Sequence, residues 1–176
     1  MNSVLRNRLI AAGAGGVLAI AATLGAWHEG EGPIERIDGV VWNVSYQDTG
    51  KVWTVCRGLT GPVAGPGKKY TADQCRTMEE QRYAVTENQT RRQLTHYDGY
   101  SKWRKAALVD FVWNLGEGAL AGSTMRSKFN AGDEVGGCRE LAKWVKSRVK
   151  GILVTLKGLV SRRDDELDLC LNWNAP

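Results

Sequence analysis

The spacing of hydrophobic and polar positions changes character several times along this chain, and each change marks an element. Leu9–Trp27 carries no charge. It is long enough to cross a bilayer as one helix, since a hydrocarbon core asks for about 20 apolar residues. Gly30, Gly32 and Pro33 stop any helix leaving it. Residues 39–60 alternate rather than repeat at helical spacing, are rich in Val, Trp, Tyr and Thr, and contain the turn signal Asp48-Thr49-Gly50. They predict a small β-hairpin or meander. Gly61–Gly67 is a Gly/Pro loop. Thr71-Ala72-Asp73-Gln74 has the reciprocal capping pattern and opens a helix from residue 72 into the low 90s. Lys102–Leu115 is the strongest core helix, with Trp103, Ala106, Ala107, Leu108, Phe111, Val112 and Leu115 on one broad apolar face. Ser123 caps a short helix that stops near Gly132, and Asp133 starts another, with Cys138, Leu141, Ala142 and Val145 on one side. Gly151 and Gly158 punctuate the next stretch, and Ser161 is read as the cap of a last helix through Leu167, Cys170 and Leu171. The order predicts an α+β protein, with a small β-hairpin lobe first and a larger helical lobe after it. Residues 1–27 are expected to be a weak transmembrane segment, and 28–176 one domain.

The quality of the first segment matters more than its length. Arg6 and Arg8 precede it, so it reads as an export signal with its N-terminus inside. Ala and Gly fill most of it. Leu9, Ile10, Val17, Leu18, Ile20 and Leu24 contribute only roughly −2 to −4 kcal/mol of insertion free energy together. Three readings compete: a cleaved signal peptide at Ala19-Ile20-Ala21, a permanent anchor, or an anchor able to leave the membrane. Low hydrophobicity favours the third over the second, and Gly and Ala let a freed helix pack closely on protein. Energetics alone do not separate the first from the third.

Composition narrows the class. The net charge of +5 fits a polyanionic partner or simply a solvated face. The chain has no nucleic-acid-binding motif, so no nucleic-acid partner is expected. Four cysteines without CxxC spacing, and two histidines, do not form a zinc pattern; neither a metal nor another cofactor is expected. Exported, dispersed cysteines suit two disulfides, with three connectivities possible and free thiols as the alternative.

The acids of Trp27–Gly61 carry the candidate chemistry. An acid ahead of a hairpin, with Asp48 and Thr54 inside it, suits glycoside hydrolysis. One carboxyl protonates the leaving oxygen, and a second group engages the other face of the sugar. A water held by Asp48 and Thr54 is one way to do the latter. The bland alternative is that Asp48 is a turn residue.

The pattern Tyr46-x-Asp48-x5-Thr54-Val55-Cys56-x-Gly58-x-Thr60-Gly61 resembles the active-site hairpin of phage-type lysozymes, glycoside hydrolase family 24. The resemblance continues through Gly67-Lys68-Lys69-Tyr70-Thr71-x3-Cys75, Phe111–Gly116, Ser123–Asn130, Gly136-Gly137-Cys138 and Gly158-Leu159-x-x-Arg162-Arg163-x-x-Glu166-x3-Cys170. It implies a lysozyme-like α+β fold and hydrolysis of the bond between N-acetylmuramic acid and N-acetylglucosamine. Peptidoglycan glycan strands would be the partner, and the chain a monomer. All four cysteines fall at positions used by the lambdoid-phage branch, with Cys56 and Cys75, and Cys138 and Cys170, as candidate pairs. In that branch a Gly/Ala-rich N-terminal helix marks signal-arrest-release endolysins. This implies an inactive form tethered to the host inner membrane through the export machinery, its catalytic domain in the periplasm, and activation by release. A silent wall-binding protein and a lytic transglycosylase are the rival readings.

One departure from the family pattern concerns the acid. The position expected for the family's glutamate, relative to Asp48, is held by Gly39, so the chain looks to carry an insertion between glutamate and hairpin. Glu29, Glu31 and Glu35 are the candidates, and Asp38 is a shorter, less suitable acid. Trp27-His28-Glu29-Gly30 fits the family's helix-ending Glu-Gly best. A carboxylate at a helix C-terminus is also expected to resist ionisation, as a proton donor must. Glu29 follows the membrane segment directly, so release of that segment is expected to bring Glu29 to Asp48.

Overall fold

A computed structural model describes residues 1–30, 32–48 and 50–173. Its chain contacts form two compact units: Glu29–Arg82, and Met1–His28 together with the chain from Tyr83 onward.

In the helical unit, the uncharged run expected as one straight helix is bent. α1 (Ser3–Ala12) and α2 (Gly16–His28) are joined by a 3-10 turn at Gly13–Gly15. Gly16 stands at φ +77°, a left-handed conformation that costs a side-chain-bearing residue roughly 1–2 kcal/mol. Asn2 caps α1, its Oδ1 accepting from the Val4 N–H at 2.7 Å. Leu5, Leu9, Ile20, Ala21 and Leu24 are wholly buried, in one core with Tyr83, Tyr97, Trp103, Leu108 and Phe111. Two glycines allow the close approach. A Cβ at Gly13 would lie 2.8 Å from Trp103 Cη2, and one at Gly25 would lie 2.1 Å from Tyr83 Oη and 3.1 Å from Asp110 Oδ1.

α4 (Lys102–Leu115) packs against both α2 and α8 (Lys157–Asn172). It is therefore buried more fully than a one-faced helix: Val109 and Asp110 are also inside, while Leu115 is only partly covered. Asp110 is made tolerable there by Arg162, whose Nε and Nη2 donate to its two oxygens at 2.9 and 2.8 Å. Burial pushes the Asp110 carboxyl up, but the charge and hydrogen bonds of Arg162 outweigh it and hold Asp110 below the usual range. Glu166 goes the other way, because burial dominates the nearby Arg163 charge and raises it well above the ordinary carboxyl value. Arg163 Nη2 lies 2.7 Å from Glu166 Oε1, so each buried acid has a guanidinium beside it.

α5 (Glu117–Ala121), α6 (Thr124–Asn130) and α7 (Glu134–Arg139) come next. Ser123 and Asp133 cap the last two as expected, accepting from the Arg126 and Gly136 N–H groups at 3.0 and 2.8 Å. Three later expectations need correction. Lys146–Val149 (β7) and Ile152–Thr155 (β8) form an antiparallel hairpin. Its turn residues Lys150 and Gly151 are both at positive φ, the type I′ geometry that matches strand twist. α8 starts where β8 ends, with extended Leu156 as its N-cap, so Ser161 lies inside the helix and does not cap it. Trp144 comes after a 3-10 turn rather than lying in an amphipathic helix, and meets Phe111 edge-on at 5.3 Å.

In the β unit, Ile34–Ile37 (β1) and Val40–Val44 (β2) pair around Asp38-Gly39, also at positive φ, so pairing begins ahead of residue 39. Tyr46–Gln47 (β3), Trp53–Val55 (β4) and Leu59–Thr60 (β5) make a second sheet, while Lys69–Tyr70 (β6) joins β2. α3 (Ala72–Gln93) opens on the reciprocal box: the Gln74 N–H donates to Thr71 Oγ1 at 3.3 Å, and the Thr71 N–H to Gln74 Oε1 at 2.9 Å.

Of the three connectivities, the protein takes Cys56–Cys75 and Cys138–Cys170, closing 19 and 32 residues of chain. Replacing Cys138 and Cys170 together by Ser is expected to cost about 3 kcal/mol of unfolding free energy. Chemical denaturation of the soluble protein measures it.

Candidate active site

The site grows from the β3–β4 hairpin. Tyr46 and Thr54 are direct cross-strand partners, so their side chains share one face of the sheet. Asp48 comes after β3 and lies two residues beyond Tyr46, on the same side of the alternation. The turn fixes it: its N–H donates to the Val52 carbonyl at 3.0 Å, and its Oδ1 accepts from the Val52 N–H at 2.8 Å. Asp48 is thus a turn residue as well as a candidate catalytic one, with one oxygen engaged by the backbone. Lys51 takes a left-handed φ of 61° to complete the turn. Thr54 is 5% exposed, and its hydroxyl donates to the Val52 carbonyl at 3.2 Å. That leaves the hydroxyl oxygen's lone pairs to accept from a water or substrate.

Glu29 comes immediately after α2, which ends at His28, one residue earlier than the expected helix-ending position. The strand-entry segment then crosses the Tyr46 ring. A Cβ at Gly32 would stand 3.0 Å from Tyr46 Cε1 and 3.3 Å from the Cys56 carbonyl, so only glycine fits there without displacement. The Pro33 carbonyl accepts from the Val44 N–H at 2.9 Å and holds that path. The Tyr46 phenol is raised above its usual pKa by burial first, then by the carboxylate of Glu29, then by that of Asp48. Glu29 and Asp48 therefore share a neighbour in Tyr46, whose strand partner is Thr54.

The other acids are placed differently. Glu35 lies on β1, half exposed, with its Oε2 2.5 Å from Lys69 Nζ, an ion pair across the sheet. Asp38 is spent on the β1–β2 turn. Glu31 lies outside the described residues, as does Thr49 of the expected turn. Tyr46 is the site residue that sequence reasoning left as part of a motif only. Its place two residues ahead of Asp48 in the expected hairpin was the available signal.

Residues 35–166 match the sequence model of the family described as phage lysozyme, a stretch that begins downstream of Glu29. The SAR-endolysin of bacteriophage PS119 is 35% identical over 173 residues, spanning 97% of this chain and 96% of that protein. The endolysin from Escherichia coli O157:H7 phage FAHEc1 superposes with a TM-score of 0.71 at 26% identity, over 89% of this chain and 92% of the other. The active form of the P1 phage endolysin Lyz does so at 0.67, with 24% identity over 96% and 92%; at that identity it supports the fold alone.

Proposed function

This chain belongs to the phage lysozyme family, and on that premise we propose that Glu29, Asp48 and Thr54 are its catalytic residues. It is a phage endolysin, a glycosidase that lyses the host by cutting the β-1,4 bond between N-acetylmuramic acid and N-acetylglucosamine in peptidoglycan. In the proposed mechanism Glu29 gives its proton to the bridging oxygen as the bond breaks. Asp48 orients the attacking water and stabilises positive charge developing on the sugar. Thr54 holds that water through its hydroxyl. Direct attack by water inverts the anomeric centre. What supports this reading is Tyr46, whose phenol feels the charges of both carboxylates and whose cross-strand partner is Thr54.

The control reading concerns α1 and α2. We take residues 1–27 to be a signal-arrest-release segment and 28–176 the muramidase domain. In the tethered form the N-terminus is cytoplasmic, the segment spans the inner membrane, and the domain faces the periplasm; the active form is a released monomer. Support comes from the double fitness of the segment. Its insertion is worth roughly −2 to −4 kcal/mol. Full burial of Leu5, Leu9, Ile20 and Leu24 in protein is worth roughly 6–12 kcal/mol, an upper estimate. The folded protein thus offers these side chains a second apolar home, which an anchor able to leave the membrane requires. Because Glu29 is bonded to the end of α2, whatever moves that helix moves the proton donor.

Thr54 offers a test that spares the carboxylates. Thr54→Val should lower muropeptide release about a hundredfold by misplacing the water, with thermal stability little changed. Thr54→Ser should restore most of it. If the valine variant lysed walls at the normal rate, Thr54 would have no part in holding the nucleophile.

A further inference from the structure

We propose that the β7–β8 hairpin is a docking element for a bilayer surface carrying anionic lipid. Its tip presents Val149, Ile152 and Leu153 at 45, 68 and 57% exposure, and Ile152 and Leu153 are the most exposed large hydrophobic residues described. Val149 pairs with Ile152 next to the turn on one face of the ribbon, and Leu153 pairs with Arg148 one step back on the other, so both faces near the tip carry apolar surface. A two-stranded ribbon exposing three aliphatic side chains is marginal in water unless something covers it.

Charge identifies the cover. From Leu141 to Ser161 the chain has no carboxylate but carries Lys143, Lys146, Arg148, Lys150 and Lys157. Lys143 is taken by Glu140 at 2.7 Å. Among the described residues, Lys146, Arg148 and Lys150 have no carboxylate within ion-pair distance; Arg148 donates instead to the carbonyl of turn residue Gly151 at 3.1 Å. Aliphatic side chains near the tip, with Lys150 in the turn and Lys146 and Arg148 further back, match an interface of acyl chains and anionic headgroups. The β1–β2 hairpin makes the contrast. It exposes Ile34, Ile37 and Val40 to a similar degree, but there Glu35 and Asp38 offset Arg36 and Lys69, so it presents no excess of positive charge.

The element is separate from the export segment. Leu5, Leu9, Ile20 and Leu24 are fully buried in the folded chain, while Val4 and Ile10 on α1 stay exposed, so the two elements are told apart by where a bilayer protects the chain. The hairpin thus gives the released protein a reversible hold on a membrane, independent of the assignment of its catalytic residues.

Flotation of the detergent-free, soluble full chain with vesicles of phosphatidylcholine alone, or with phosphatidylglycerol added, tests this. Binding is expected only with phosphatidylglycerol, and should weaken with salt. Arg148→Gln and Lys150→Gln should each reduce partitioning about fivefold, and Ile152→Ser with Leu153→Ser about tenfold. None should change hydrolysis of soluble glycan fragments. Hydrogen exchange should show vesicle-dependent protection at residues 146–155. The proposal is overturned if the wild type ignores phosphatidylglycerol, if the variants bind as tightly, or if protection maps to residues 3–28. It is equally overturned if the hairpin is protected only by anionic wall polymer, or by a second copy of the chain at high concentration.

Discussion

Replacing Gly25 by Leu is expected to hold the protein in the membrane and cut the released, active fraction about a hundredfold. Two effects act together. In the folded protein, a Cβ at position 25 already meets Tyr83 Oη at 2.1 Å and Asp110 Oδ1 at 3.1 Å, and neither neighbour can yield cheaply. Asp110 is clamped by Arg162 at 2.8 and 2.9 Å, and the Tyr83 ring is stacked on Trp113 with centroids 3.9 Å apart. Overpacking of this kind costs about 1–3 kcal/mol even without a buried ion pair at stake. In the bilayer nothing faces position 25, and leucine adds a few tenths of a kcal/mol of insertion. Membrane fractionation with a lysis assay reads both. Ala14→Leu is the control, because Ala14 is exposed and gains three of the same four carbons without the steric conflict. It should change release only about twofold. Equal behaviour of the two variants would mean that anchor strength alone, and not docking of α2, sets release.

Glu29→Gln is expected to lower turnover about a thousandfold, in the middle of the range for loss of a general acid. The amide keeps the volume and removes the transferable proton, so folding and membrane release should be unaffected. Glu35→Gln should keep nearly full activity. It removes an exposed pair with Lys69, and such pairs are worth about 0–1 kcal/mol.

Much of this architecture was legible where a local rule is strict. Thr71 and Gln74 satisfy each other's backbone donors as the capping pattern requires, and Ser123 and Asp133 cap α6 and α7. The candidate cysteine pairs formed. The features that were not legible depend on long-range packing or weak turn signals. The bend at Gly13–Gly16 is set by Trp103, far along the chain, and a hydropathy pattern reads the same stretch as one straight span. Lys150-Gly151 is a poorer type I′ signal than Asn-Gly, so β7 and β8 passed as a break between helices. Asp38-Gly39 is a strong signal, but the family pattern drew attention to its missing glutamate rather than to the hairpin that replaced the spacing. Ser161 looked like a cap because Ser usually is one; Leu156 pre-empts it by leaving β8 already extended. At the site, Asp48 and Thr54 were singled out by motif, whereas the close approach of the Gly32 backbone to the Tyr46 ring depends on the folded path of the chain and has no local signal.

The central claim is that water, held by Asp48 and Thr54, attacks as Glu29 protonates the leaving oxygen. The most direct measurement is the mass and anomeric configuration of muropeptides released from purified peptidoglycan by the wild type, beside Glu29→Gln, Glu31→Gln and Glu35→Gln. The account predicts hydrated reducing ends, formed first as the α anomer, with release lost in Glu29→Gln alone. Anhydro ends, lighter by one water, or initial β product, or wild-type release by Glu29→Gln, would contradict it.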